Sequence, residues 1–262
     1  MSKHIDNFKL RLGPIVAQLE EAFPNRIHSY YLTGSAVTGT MVAGSDLDII
    51  VVFKGMLEAD DALSCQQLGQ QLGGRLGYEL DLEPVSEAAL LREGATGLKL
   101  TAVPLHGSDI RKQIPWEPLA TFQRDVAAGF VEYASQLRQV LQLSHPLAYP
   151  DPQDFLFGYA RNDTRLVLKT VLIGATLRVL LASGVRCGSK ADAVIKYEQH
   201  IGDRWSAWLA TLHEQCKMVW EYRIPKAEKE RQQLRELLKS ALAFENETLQ
   251  QMDEEDVSHG YG

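Results

Sequence analysis

Residues 32–53, LTGSAVTGTMVAGSDLDIIVVF, place Asp46 and Asp48 one residue apart at the start of an unbroken apolar run. The run IIVVF is rich in β-branched residues and shows no polar alternation, the pattern of a strand buried on both faces. On such a strand residues i and i+2 share a face, about 7 Å apart at the α-carbons. The two aspartates therefore project side by side while Leu47 turns into the core. Parallel carboxylates repel unless a cation lies between them. A pair of divalent ions about 3.5–4 Å apart uses bridging carboxylates to clamp an in-line phosphoryl displacement. Magnesium, which favours oxygen ligands and phosphate partners, is the natural ion.

Upstream, Gly34 closes the strand IHSYYLTG and opens a short helical turn. Free backbone amides there, together with the Ser35 hydroxyl, can hold phosphate oxygens. Downstream, YELDLEPV alternates Glu79, Asp81 and Glu83, which puts three acids on one strand face. If that strand lies beside the one carrying Asp46, one of the three completes a three-carboxylate metal site.

The chain around these segments divides in two. FKLRLGPIVAQLEEAF has helical spacing that Pro14 should kink or split. DDALSCQQLGQQLGGRLG reads as a helix between the two acidic strands, and a further strand is expected near residues 98–105, leading into HGSDI. Past RKQIPWEP, helical periodicity predicts segments over 121–143, 152–183, 189–200, 204–222 and 226–252, with no strand-like run. The expected organisation is an α/β domain over 1–114, an all-α domain over 115–252 and a disordered acidic tail over 253–262.

Composition narrows the partners. A net charge of −7 disfavours a nucleic acid held through its phosphates and suits a cationic small molecule. Cys65, Cys187 and Cys216 are odd in number and form no Cys-x-x-Cys pair, which points to reduced thiols in the cytoplasm rather than disulfides or zinc. MSKHIDNFKL is too polar for a signal peptide. The apolar stretch 167–185 contains Lys169 and Arg178, so it reads as a buried helix rather than a membrane span.

Gly-Ser, ten further residues, Asp-x-Asp and an acid on a later strand together resemble the DNA polymerase beta-type nucleotidyltransferase superfamily. In layout the chain is similar to the aminoglycoside adenylyltransferases acting on streptomycin and spectinomycin, whose GSA…SDxD pattern resembles GSAVTGTMVAGSDLD here. The likeness covers about fifty residues; GSKADAVIKY adds a looser one in the helical half. The resemblance implies that Gly34 and Ser35 hold the β- and γ-phosphates of a nucleoside triphosphate. It implies that Asp46 and Asp48 bind two magnesium ions. Asp81 becomes the third carboxylate, a ligand of the catalytic metal and the base for the attacking hydroxyl, with Glu79 as the fallback.

Among weaker signals, Lys190 follows the helix cap Ser189 and has the charge to meet a phosphate. Arg161, Asn162, Asp163 and Arg165 place polar groups on an apolar helix. Trp205, Trp208 and Trp220 read as core, and His106 as a loop residue. The expected activity is magnesium-dependent transfer of AMP from ATP to a hydroxyl of a small molecule, such as an aminoglycoside, as in antibiotic resistance. No membrane or nucleic-acid partner is expected. The alternatives are a protein or tRNA acceptor, as in nucleotidyltransferase toxins, and a catalytically silent fold that only binds nucleotide or a partner.

Overall fold

Two periodicities divide the chain, and a computed structural model describes residues 2–76, 79–148 and 163–259 of it. It separates into one unit from Met1 to Pro118 and a second from Leu119 to Gly262.

The first unit is a mixed four-stranded sheet of order β3-β2-β1-β4 with helices on both faces. Its strands are β1 (Ile27–Leu32), β2 (Leu47–Phe53), β3 (Leu80–Ser86) and β4 (Val103–Gly107). β1 runs antiparallel to both β2 and β4, whereas β2 and β3 are parallel. A parallel pair needs a crossover, which is supplied by α3 (Ala59–Leu76). Alternation along the strands splits the core into two layers. Leu47, Ile49, Val51 and Phe53 of β2 join Leu80 and Leu82 of β3 against α1 (Ser2–Ala22) and α3. Ile50 and Val52 turn the other way, to Tyr31, Leu90, Leu98 and Ile114.

Three expectations for this unit are corrected. α1 runs through Pro14 without splitting. Proline disfavours helical backbone in the preceding residue partly through that residue's Cβ, and Gly13 has none. The lost hydrogen bond would have used the carbonyl of Leu10, a residue 79% exposed, where water can satisfy it. Residues 98–105 are not one strand: α5 (Thr96–Thr101) comes first and β4 follows. Leu98 and Ala102, four residues apart, both enter the core, so helical spacing prevails in a short apolar run. His106 consequently belongs to β4, its ring centroid 6.0 Å from that of Tyr30. The helix α4 (Glu87–Glu93) was not anticipated, although Ser86 caps it by accepting from the Ala89 amide at 3.2 Å.

Among the described residues the second unit is helical: α6 (Leu119–Arg138), α7 (Arg165–Ser183), α8 (Lys190–His200), α9 (Ser206–His213) and α10 (Glu228–His259). α7 is long and apolar enough to cross a membrane by composition, yet 61% of that stretch is buried inside the protein. Its cations lie over aromatic faces. Lys169 lies over the Tyr133 ring at 4.1 Å, and Arg178 lies over Phe244 at 4.9 Å while pairing with Asp203 at 3.1 Å. Trp205 and Trp220 are buried, and Trp208 is half-buried beside Phe244. A second buried pair, Arg138 to Glu245 at 2.5 Å, joins α6 to α10.

The predicted segment 204–222 instead resolves into α9 and a π-helical turn, Glu214–Val219. α10 continues to His259, so the acidic tail expected to be disordered is helical to that point. Residues 152–162, including Arg161 and Asn162, lie outside the described residues. Asp163 forms an isolated bridge with Arg223, and Arg165 lies over the Tyr222 ring at 5.4 Å.

Candidate active site

The hydrophobic pattern aims the acids. With Leu47 and Ile49 committed to the α1–α3 layer, Asp48 between them must face the opposite side of the sheet. Leu80 and Leu82 constrain β3 in the same way, which turns Asp81 and Glu83 to the Asp48 face. The parallel register then makes Asp48 and Asp81 direct partners, with Leu47 opposite Leu80 and Ile49 opposite Leu82. Glu79 precedes the strand, and its carbonyl accepts the Leu47 amide at 2.8 Å. The geometry thus pairs Asp81, rather than Glu79, with the Asp-x-Asp. Asp46 and Asp48 are half-buried, whereas Asp81 is exposed to solvent. Burial, and then the Asp81 carboxylate, push the Glu83 pKa up.

A backbone wall closes the site beside Asp48. The Thr33 amide donates to the Asp48 carbonyl at 3.0 Å, and α2 (Gly34–Thr38) begins at the next residue. Gly34 has φ +66°, and a Cβ built there would fall onto the Asp48 carboxylate. Only glycine combines that left-handed conformation with so close an approach. The Ser35 hydroxyl beside it is buried and has no hydrogen-bond partner among the described residues. An orphaned hydroxyl next to carboxylates is a group that a bound ligand can satisfy.

These observations bear on magnesium and a triphosphate. Oxygen donors on adjacent parallel strands have the chemistry magnesium favours. The Gly34 cradle and the Ser35 hydroxyl match the needs of a phosphate tail. Among the described residues, no three His, Cys, Asp or Glu side chains form a closed metal cage. The donor set has the chemistry that the ion favours, without being gathered into such a cage.

Gly34 and Asp48 touch, and Asp48 and Asp81 face each other across the strands. Asp46 and Asp81 line one cavity of about 380 Å³ together with Glu79. Lys190 belongs to the other unit, as the first residue of α8 behind Ser189, whose hydroxyl accepts from the Asp192 amide at 3.1 Å. The sequence reading missed Gln66 and Gln70, which line the same cavity from α3. Their i, i+4 spacing in QQLGQQLGG was the available signal.

Two further electrostatic features frame the units. After β4, Arg111 donates to the Asp109 carboxylate at 2.9 and 2.8 Å, and this bonding holds the Asp109 pKa down to about 2. In the second unit, burial and then the charges of Lys217 and Lys190 push His213 down from 6.5 to about 4. The three cysteines are free thiols. Burial pushes Cys65 and Cys216 up to about 12 and Cys187 up to about 11.

Comparison with known proteins locates this arrangement. Residues 15–110 match the nucleotidyltransferase domain family. Spectinomycin adenyltransferase AAD(9) from Enterococcus faecialis, solved with ATP and spectinomycin, is similar in fold, with a TM-score of 0.52 and 12% identity over 90% of this chain and 98% of that one. A toxin–antitoxin structure with AMP-PNP aligns with a TM-score of 0.29 and 23% identity, over 43% of this chain and 88% of the other. A mutant of the toxin–antitoxin MntA-HpeT aligns with a TM-score of 0.29 and 19% identity, over 48% and 91%. At those scores the last two carry no argument about this chain. No curated protein matches it in sequence.

Proposed function

We propose, for a chain whose residues 15–110 match the nucleotidyltransferase domain family, that the enzyme transfers AMP from ATP to a hydroxyl of a small cationic molecule and releases pyrophosphate. The observation that carries this reading is the meeting of Asp48, Asp81 and the Gly34 backbone. Two carboxylates face each other across parallel strands, and a glycine lies close enough for a phosphate chain to pass over it.

In this reading Gly34 and Ser35 hold the β- and γ-phosphates. Asp46, Asp48 and Asp81 hold magnesium, which supplies charge neutralisation when bound. Asp81 also accepts the proton of the acceptor hydroxyl as its oxygen bonds to the α-phosphorus and the bond to the β-phosphate oxygen breaks. No covalent enzyme intermediate is required, and positioning and electrostatics do most of the work. Residues 1–114 act as the catalytic domain. Residues 115–252 bind substrate, and Lys190 is assigned to the triphosphate by its charge. The net charge of −7 supports a cationic acceptor over a phosphate-rich one.

The test is incubation of the purified protein with ATP, magnesium and streptomycin or spectinomycin, followed by mass spectrometry of the drug. An added adenylate is expected, and Asp48→Asn should abolish it while leaving circular dichroism unchanged. Labelled nucleotide found on protein or RNA, and never on a small molecule, would transfer the reading to a macromolecular acceptor. Full activity in Asp48→Asn at saturating magnesium would remove the site assignment.

A further inference from the structure

In the second unit α6 commits Phe130, Ala134, Leu137 and Arg138 to the interior. Its other side forms the wall of a groove of about 890 Å³, lined as well by Leu177 and Leu181 of α7 and Met252 of α10. The wall extends from Ala120 to Gln139, nearly the 20 residues of the helix, or about 30 Å. Past the helix end Val140 and Leu141 continue it. Leu141 is 107% exposed, the most exposed of the large apolar side chains among the described residues. A contiguous apolar face left open to water marks an interaction site.

The charges in the groove identify what fits it. Among the described residues that line it, only Arg124 and Glu132 are charged. They stand four residues before and four residues after Ala128, and all three are exposed along one row of the helix. Each charge is engaged locally. Arg124 meets Asp125 at 3.5 Å, and the Gln136 carboxamide donates to Glu132 at 2.8 Å. Exposed contacts of this kind contribute little to stability and exchange readily for others. A row with opposite charges at its ends and a small residue at its centre is complementary to itself reversed. A two-fold axis at Ala128 sets Arg124 of each copy opposite Glu132 of the other, whereas parallel copies would bring like charges together. Such self-complementarity is what an isologous dimer requires. Alanines 127 and 128 at the crossing let two helix axes approach to about 8–10 Å. The same rotation carries Leu141 of each copy to the start of the other's α6, where Leu119 is 39% exposed.

We propose that this groove is a dimer interface. The α6 helix of a second copy lies antiparallel across it, centred on Ala128, and two reciprocal Arg124–Glu132 pairs fix the register while the apolar lining is covered. An unrelated partner would have no need of charges placed symmetrically about Ala128. The proposal is independent of the transferase reading.

The test is analytical ultracentrifugation of the full-length protein across micromolar concentrations, where a monomer–dimer equilibrium is expected. Arg124→Glu alone and Glu132→Arg alone each set like charges face to face at both pairs. Each should raise the dimer dissociation constant by at least about tenfold. Mixing the two variants in equal amounts should restore association, because every pair in the mixed dimer then joins opposite charges. The exchanged variant Arg124→Glu/Glu132→Arg should dimerise by itself for the same reason. Circular dichroism should be unchanged throughout, since both side chains are exposed. A protein that sediments as a monomer at every concentration overturns the proposal and leaves the groove to a partner of different chemistry. A dimer that neither single variant weakens overturns it too, by placing the interface elsewhere. So do single variants that dissociate but are rescued neither by mixing nor by exchange, which would deny the reciprocal pairing.

Discussion

Gly34 and Ser35 are neighbours with opposite demands on the fold, and substitution should separate them. Gly34→Ala puts a methyl group against the Asp48 carboxylate at a φ of +66°, a conformation that costs a non-glycine residue roughly 1–2 kcal/mol before any collision. Thermal stability should fall and AMP transfer should be lost. Ser35→Ala removes a buried hydroxyl that no group among the described residues satisfies. Stability should hold or rise slightly, while the KM for ATP increases. A Ser35→Ala variant with a lowered melting temperature and an unchanged KM would mean that the hydroxyl serves the fold and not the nucleotide. Both residues were legible in the sequence as a strand-ending Gly-Ser, and so was the Asp-x-Asp. What alternation alone left open was which acid of the Glu79–Asp81–Glu83 series faces Asp48. That choice is made by inter-strand register, which depends on another strand's residues.

At the scale of elements, the sequence yielded what has one period and concealed what two neighbours decide. β1, β2, β3 and α3 follow directly from their patterns. The stretch from α4 to β4 does not, because its short apolar runs fit helix and strand equally until the core selects Leu98 and Ala102. Glycine roles are concealed for the same reason. Gly69 and Gly129 are both helical, yet a Cβ at Gly69 would crowd Leu82 whereas one at Gly129 meets nothing within 4 Å. Gly69→Ala should therefore destabilise by about 1–3 kcal/mol through overpacking. Gly129→Ala should stabilise by about 0.5–1 kcal/mol through helix propensity; urea unfolding measures both.

The last residue of α9 supplies a pH test. His213 has a folded pKa of about 4 against its ordinary 6.5, so the unfolded chain binds its proton first on acidification. Its contribution to stability is intact above pH 6.5 and is lost as pH falls toward 4. His213→Gln should lose less melting temperature than wild type between pH 7 and pH 5. An identical loss in the two proteins would assign the acid sensitivity to other groups.

At the scale of the whole molecule, a chain with a net charge of −7 carries its carboxylates to one patch of the sheet through apolar residues alone. The division into an α/β unit and a helical unit was readable from the change of period past Trp116. The extent of α10 was not, because an acidic, polar run reads the same whether it continues a helix or leaves it. The pairing of Leu47 with Leu80 and of Ile49 with Leu82 has a consequence for how the protein fails. A slip of one residue in β3 would bury Asp81 against α3 and bring a leucine opposite Asp48, exchanging every side chain between the faces. No partially aligned catalyst exists between these registers. Damage to the sheet should therefore remove molecules from the active population rather than slow each one. On heating, residual activity should follow the native fraction point for point, with an unchanged KM for the survivors. A KM that drifts before the circular dichroism signal moves would show that the site loosens ahead of the sheet.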